Sequence, residues 1–564
     1  MFIFGRNLRI MKIRRFLGVK FVYMKFQSRC GKGKISVIIL LSVLIIYISI
    51  YQLLRFRIPL PNFITRANPF AHSVILLILT IPILISAFHQ LWLGIISIRK
   101  MRFNADSLIS ISIISAILYC LYSIVMTYRG NSSYVNNLMF QYICVLITLT
   151  IIGDCLNKDG KAGIPLMEKL SSKYMVLVIA ITLCCTAFYA VSGKGVAFTL
   201  SRAALILAIS CPSVIVFSPV MTAIMTFKRA NQLNLHVKSG AGIEAAAKVD
   251  TIVFSGSAIS ENEIFVKKIA VAAGYTSEQV ASLAAQALGG STHPAAIAII
   301  NYALQNSYKV SDNNPCIYLG NDAFCATVDD DEILIGDKNL MTKREIVGLD
   351  NLSPISDNAA IMYIAINKEI AGYIALDEKI NESSNKLIKT LVANNYRCVM
   401  ISSRSNLFSN ERSILAGVDT FITGITPSEK RDKVLAFENA GNAVCMIGCN
   451  DDDLQALSSA TLGIATYRAE DSIRTAADII LKEDDLCAAV SAFLLAKSAM
   501  RILKLNFAIA IISSIVGILM ASMALYKFTG SGLSQGAIAM ITLSSVGITT
   551  LNTLRILLWN NREL

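Results

Sequence analysis

Two sets of residues in this chain have types and spacings that could do chemistry. The first set follows short apolar runs. Thr251–Phe254 leads into Ser255-Gly256-Ser257-Ala258-Ile259, Arg397–Ser402 into Ser403-Arg404, and Ala443–Gly448 into Cys449-Asn450-Asp451-Asp452-Asp453, while Lys430 follows Thr426-Pro427-Ser428-Glu429. Lys430 could face a phosphate or lie on a helix surface. Asp451 to Asp453 could bind a cation or make a solvated acidic turn, and the Cys449 thiol does not suit a hard cation, which wants oxygen ligands. The second set is soft. Cys211 precedes Pro212 inside an apolar run, where proline frees a backbone carbonyl at membrane depth and a thiol is a soft-metal ligand. Met540 lies one helical turn before Ser544 and could add a thioether. Cys211 and Met540 together could hold a soft monovalent ion, or each could simply pack. His293, before Pro294, reads as a residue at the start of a helix.

These residues need elements to hold them, and composition says what kind. Of 564 residues 54% are apolar, and mean hydropathy is +0.57, too high for an ordinary soluble protein. Apolar runs of spanning length lie near 36–54, 73–98, 105–126, 138–153, 175–192, 200–226, 506–525 and 533–558, so eight membrane helices are expected, with both termini on one side. Residues 1–34 hold ten Lys or Arg and no acid, which places the termini and the polar insert in the cytoplasm. The net charge of +14 is explained by these basic flanks meeting lipid headgroups, and a nucleic-acid partner is not expected. The thirteen cysteines include no Cys-x-x-Cys pair and read as buried, reduced thiols.

The insert alternates apolar strands with helical patterns, which argues a doubly wound parallel sheet. Strands are expected at Thr251–Phe254, Arg397–Ser402, Thr420–Thr423, Ala443–Gly448, Leu462–Thr466 and Asp478–Leu481, with a turn at Asp377-Glu378. The expected organisation has five parts. They are a basic segment 1–35, six membrane helices within 36–226, an α/β domain from 227–260 and 375–500, an inserted α+β subdomain at 261–374, and two membrane helices within 501–558.

The ordered motifs resemble those of the heavy-metal, CPx-type, copper-like branch of the P-type ATPases. Asn104-Ala105-Asp106, Cys211-Pro212-Ser213, Lys238-Ser239-Gly240 with Gly242-Ile243-Glu244, Ser291-Thr292-His293-Pro294, Gly336-Asp337, Thr426-Pro427-Ser428-Glu429-Lys430, and Ser544-Ser545 with Asn552 and Arg555 stand in that branch's order. The resemblance implies a polytopic α-helical membrane protein with a cytoplasmic haloacid-dehalogenase-like α/β domain and an inserted nucleotide-domain-like subdomain. It also implies ATP and magnesium as cofactors, a transition-metal ion as cargo, His293 at the adenine, and Cys211 and Met540 at the metal.

The departures from the family fall on the chemistry. Ser255 stands where the family has the phosphorylated aspartate, and Gly256 where it has lysine. Ser257 replaces the threonine, Ser402-Ser403-Arg404 the Thr-Gly-Asp loop, and Cys449 the first magnesium aspartate. Ser257, Ser402, Lys430 and Asp453 are remnant positions of that site. Asn321-Asp322-Ala323-Phe324 replaces the glycine pair of the nucleotide pocket, Ser213 the second thiol, and Ser513-Ser514 a Tyr-Asn pair. The connection from Asp154 to Lys173 is too short for the family's actuator domain. The expectation is a plasma-membrane pseudo-enzyme without catalytic residues that acts by binding or regulation, with a membrane protein partner docking where the actuator would pack. The alternative is a divergent, ATP-driven transition-metal transporter. A membrane-anchored phosphatase of the haloacid dehalogenase type would need the same missing aspartate.

Overall fold

A computed structural model describes residues 32–50, 61, 64, 68–100, 105–131, 134, 138–157, 160–193, 195–210, 213–291, 293–310, 316–320, 323–349, 352, 360–380, 382–403, 418–522 and 535–560. The chain forms two compact units. One comprises the described residues within Met1–Gln232, Val237–Ala247 and Leu494–Arg562, and the other those within Leu233–His236 and Lys248–Phe493.

The first unit is helical. Its elements are α1 (Lys32–Ile50), α2 (Pro69–Arg99), α3 (Ala105–Tyr128), α4 (Phe140–Leu156), α5 (Pro165–Val191), α6 (Val196–Ser210), α7 (Ser213–Gln232) and the short α8 (Gly240–Lys248); two long C-terminal helices complete it. A helix lies at each of the eight apolar runs. Among the described residues five stretches are long and apolar enough to cross a membrane: Pro69–Arg99, Asp106–Tyr128, Pro165–Val191, Phe198–Gln232 and Ala488–Ala521. Residues 211 and 212, within the fourth, lie outside the described residues. Ile85, Leu118, Leu183 and Phe188 expose apolar side chains outward, as helices solvated by lipid do. Ile113, Ile143, Ile147 and Ile206 fill the bundle interior.

The second unit carries two sheets. Its elements in chain order are β1 (Leu235–Val237), β2 (Thr251–Ser255), α9 (Gly256–Ile259), β3 (Ser260–Val271), α10 (Ser277–Ala287), α11 (Pro294–Gln305), β4 (Ile317–Gly320), β5 (Ala323–Val328), β6 (Asp331–Gly336), α12 (Lys338–Lys343), β7 (Ala360–Ile366), β8 (Glu369–Ile380), α13 (Glu382–Ala393), β9 (Arg397–Ile401), β10 (Thr420–Ile422), α14 (Pro427–Asn439), β11 (Val444–Gly448), α15 (Leu454–Ser459), β12 (Leu462–Ala465), α16 (Asp471–Ala476) and β13 (Ile479–Leu481). The C-terminal helices of the first unit are α17 (Ala488–Ala521) and α18 (Gln535–Leu554).

The first sheet has seven strands in the order β1-β13-β12-β11-β2-β9-β10. Strands β2, β11 and β12 are buried along their whole length, and their pairings are parallel, as expected for strands covered on both faces. Val253, Val399, Met446, Ala465 and Ile473 belong to one core around this sheet. The six expected strands are present, and β1 is an addition at the edge.

The second sheet is antiparallel, in the order β3-β8-β7-β6-β5-β4. It packs Ile333, Ile364 and Ile374 against Ala284 and Ile299 of α10 and α11. Residues 377 and 378 do not turn the chain. They lie inside β8 and pair with Phe265 and Ile264. The physical reason is the long β3 partner, whose ladder continues through this point, with buried Asp377 accepting from Lys267 Nζ at 3.0 Å.

Candidate functional site

The sheet order puts β2 at a switch point, flanked by β11 on one side and β9 on the other. In open α/β sheets the crevice beyond the C-terminal strand ends at such a point is where ligands bind. Ser255 ends β2 and Gly448 ends β11, and Ser402 follows β9, whose Ile401 is in register with Ser255. Lys430 arrives on the first turn of α14. That turn is fixed by a capping box, with Glu429 Oε2 accepting from Thr426 N–H at 2.8 Å and Thr426 Oγ1 accepting from Glu429 N–H at 3.4 Å. Pro427 pre-sets the first helical residue. Asp453 arrives on a 3₁₀ turn after Asn450.

Ser255 and three of the four remnant residues, Ser257, Lys430 and Asp453, form one connected cluster. Lys430 Nζ donates to Asp453 Oδ1 at 2.8 Å, with the two side chains 3% and 0% exposed. Ser257 Oγ donates to Asp453 Oδ2 at 3.1 Å, and the Ser255 and Ser257 hydroxyls are 3.0 Å apart. Cys449 N–H donates to the same Oδ2 at 3.1 Å. Gly448 leaves the space for this: a Cβ there would lie 2.9 Å from Asp453 Cβ. Ser402 is buried beside the cluster's strand ends, and its N–H donates to Ile422 O at 2.9 Å. Arg404 lies outside the described residues.

Magnesium does not fit these residues. It requires near-octahedral oxygen coordination, usually with carboxylates. Asp453 is the carboxylate within the cluster, and a lysine, a hydroxyl and the backbone N–H groups of Cys449 and Asn450 already use its two oxygens, which together offer about four acceptor sites. The three consecutive acids do not converge either. Asp453 is buried while Asp451 and Asp452 are exposed, and Asp451 accepts from the Ser472 hydroxyl. Cys449 replaces a carboxylate with a buried thiol whose pKa is pushed up, first by burial, with Thr466 acting in the opposite direction.

His293 occupies the N-cap of α11, its Nδ1 accepting from Ala295 N–H at 3.3 Å. Its ring stacks on Tyr318 at 5.7 Å and meets Phe324 edge-on at 5.3 Å, while Tyr318 and Phe324 are themselves 5.3 Å apart. A base held between two rings needs roughly 7 Å, twice the carbon contact distance of about 3.5 Å. The three rings have closed on one another, so an adenine sandwich does not fit. Asn321 and Asp322 lie outside the described residues.

In the membrane unit, Cys211 lies outside the described residues, as does the side chain of Met540, whose backbone is in α18. Two carbonyls just before residues 211 and 212 are engaged: Leu207 O accepts from Ser112 Oγ and Ser210 O from Tyr174 Oη, both at 3.0 Å. Ser513 and Ser514 both donate to Ala510 O of their own helix. Among the described residues no group of three His, Cys, Asp or Glu side chains converges on a metal position.

Two polar features of the bundle were not anticipated from sequence. Asn506, fully buried, donates to Ser218 Oγ at 2.9 Å and Thr553 Oγ1 at 3.0 Å and accepts from Asn552 Nδ2 at 2.7 Å, joining α17, α7 and α18. Gln90, Asp106, Thr150 and Asp154 line a small cavity between α2, α3 and α4, and Gln90 Nε2 donates to Asp154 Oδ2. The signal available beforehand was a lone polar residue inside an apolar run.

Residues 250–461 match the haloacid dehalogenase-like hydrolase family. The chain is similar to a probable copper-transporting ATPase of Arabidopsis thaliana, 26% identical over 338 residues, covering 57% of this chain and 34% of that protein. It is also similar to a copper-exporting P-type ATPase of Staphylococcus aureus, 27% identical over 356 residues, covering 62% and 43%. The matched stretch is thus less than half the length of these relatives. A crystal structure of a zinc-transporting PIB-type ATPase in its E2.Pi state shares the fold, with a TM-score of 0.68 at 16% identity over 93% of this chain and 100% of that one.

Proposed function

We propose that this chain is an integral-membrane pseudo-enzyme of heavy-metal P-type ATPase origin, unable to form an aspartyl phosphate and acting by binding or regulation. One observation carries this reading. Lys430 and Asp453 neutralise each other at 2.8 Å beside Ser255, where an attacking carboxylate would stand. A serine there offers no acyl phosphate, and a saturated Asp453 offers no open coordination for magnesium. The closed His293, Tyr318 and Phe324 rings point the same way for ATP. The basic flanks support a cytoplasmic α/β unit, and the proposal includes a plasma-membrane location and a membrane protein partner. The test is ATP hydrolysis by the purified protein in lipid, with and without copper(I) or zinc, beside a Ser255→Asp/Cys449→Asp double variant. The proposal expects no turnover by the wild type; metal-stimulated turnover overturns it.

A second reading, a divergent transition-metal transporter, is favoured by the cavity lined by Asp106, Thr150, Asp154 and Gln90. Ionisable residues inside a bundle commonly mark an ion path. This reading requires metal flux in vesicles that is lost in Cys211→Ala and in Asp154→Asn.

A further inference from the structure

The connection between α4 and α5 is short, and most such loops are exposed and loosely held. This one is not. Ala162 and Ile164 are 2% and 1% exposed. The loop is closed on itself at one end, where Asn157 Oδ1 accepts from Ala162 N–H at 2.9 Å and Asn157 O accepts from Gly160 N–H at 2.9 Å. It also meets α8, inside the same unit. Gly240, the first residue of α8, donates its N–H to Lys161 O at 2.7 Å. The approach is so close that a Cβ on Gly240 would sit 2.5 Å from Gly163 O and 3.0 Å from Ala162 O.

The bond in the opposite direction comes from α8. The N-cap of α5 is Ile164, which has no side-chain acceptor to offer. Glu244 of α8, itself buried, supplies the acceptor: its Oε2 takes the N–H of Leu166 at 2.7 Å. A carboxylate at the start of a helix satisfies an orphan donor and complements the helix dipole. The segment preceding α5 therefore caps α8, and α8 caps α5. Each bond holds in place the group that makes the other.

We propose that Asn157 and residues 160–164 form a fixed latch that fastens α5 to α8 and holds this part of the membrane unit in a single arrangement. The inference holds whether or not the α/β unit turns over ATP. Reciprocity is what separates a latch from two unrelated caps. Releasing either end must loosen the other.

The experiment is hydrogen exchange of the full chain in lipid nanodiscs, followed by mass spectrometry of peptides covering 160–168 and 238–248. In the wild type both peptides exchange slowly. In Glu244→Ala, which removes the cap of α5, exchange rises roughly five- to tenfold in both peptides. Gly240→Ala, which leaves Glu244 intact but collides with Gly163 O, produces the same double release. Limited trypsin digestion gives a second readout: the exposed Lys161 resists cleavage in the wild type and is cut in both variants. Peptides covering β11 and β12 report whether a variant has simply unfolded. Wild-type exchange of 160–168 at the rate of an open loop overturns the latch. So does loosening confined to either one of the two peptides while the other stays protected.

Discussion

Lys430 and Asp453 are nearly inaccessible and 2.8 Å apart, which sets what substitutions do. Removing one partner of a buried pair leaves an unpaired charge, at a cost of about 3–5 kcal/mol. Lys430→Met is therefore expected to lower the stability of the α/β unit by about that amount, and Lys430→Met/Asp453→Leu to recover most of it, because no charge is then stranded. Denaturant unfolding of the α/β unit followed by tryptophan-free probes such as circular dichroism checks both. A double variant no more stable than the single one would mean that Asp453 has other work. Cys449 gives a pH prediction. Burial raises its thiol pKa, so the reactive thiolate is scarce at neutral pH. Native protein should leave Cys449 unlabelled by iodoacetamide at neutral pH, with labelling rising only at more alkaline pH than an ordinary thiol needs; mass spectrometry reads the site. The residue types at 255, 257, 449 and 453 were legible because they follow strand ends in order, and Lys430 because it follows Thr426-Pro427-Ser428-Glu429. That Asp453 is consumed by Lys430 was not, since the pairing spans 23 positions and exists only once β11 and α14 are placed.

Among the elements, the strands buried on both faces were the easiest to read, because an unbroken apolar run such as Val444–Gly448 admits few other uses. The misses follow a rule. β1 is three residues long, too short for a periodicity. β3 begins with Ser260-Glu261-Asn262-Glu263, which reads as loop, and is recruited by its long ladder with β8. Asp377 and Glu378 looked like a turn for the same reason, being polar residues that tertiary pairing holds extended. The membrane helices were legible as apolar runs, but the join at Asn506 was hidden because hydropathy averages out one polar residue. Asn506→Leu strands the partners on α7 and α18. The expected cost is about 1–2 kcal/mol, seen as a lower thermal midpoint of the protein in detergent; an unchanged midpoint would show that Ser218 and Thr553 find other partners.

The whole molecule joins a bundle of apolar helices to an α/β unit whose relatives transport metals. Anything that binds the folded state raises its stability by mass action. With Asp453 occupied and the His293 rings closed, magnesium and ATP together should leave the melting temperature unchanged at millimolar concentration. A rise of several degrees would contradict the misfit of both ligands. Ancestry was legible at this scale, because it is spread over many short motifs. The proposed loss of function rests on missing groups in the sequence, and the structure adds how Lys430 and Asp453 neutralise one another.

The most direct measurement is phosphoenzyme formation. The protein in lipid is incubated with γ-labelled ATP, magnesium and copper(I) or zinc, quenched in acid, and treated with hydroxylamine, which cleaves acyl phosphates and spares serine esters. The account predicts no hydroxylamine-labile label on the chain. Such a label, dependent on metal, would mean that some carboxylate accepts the phosphoryl group despite Ser255, and the pseudo-enzyme reading would fall.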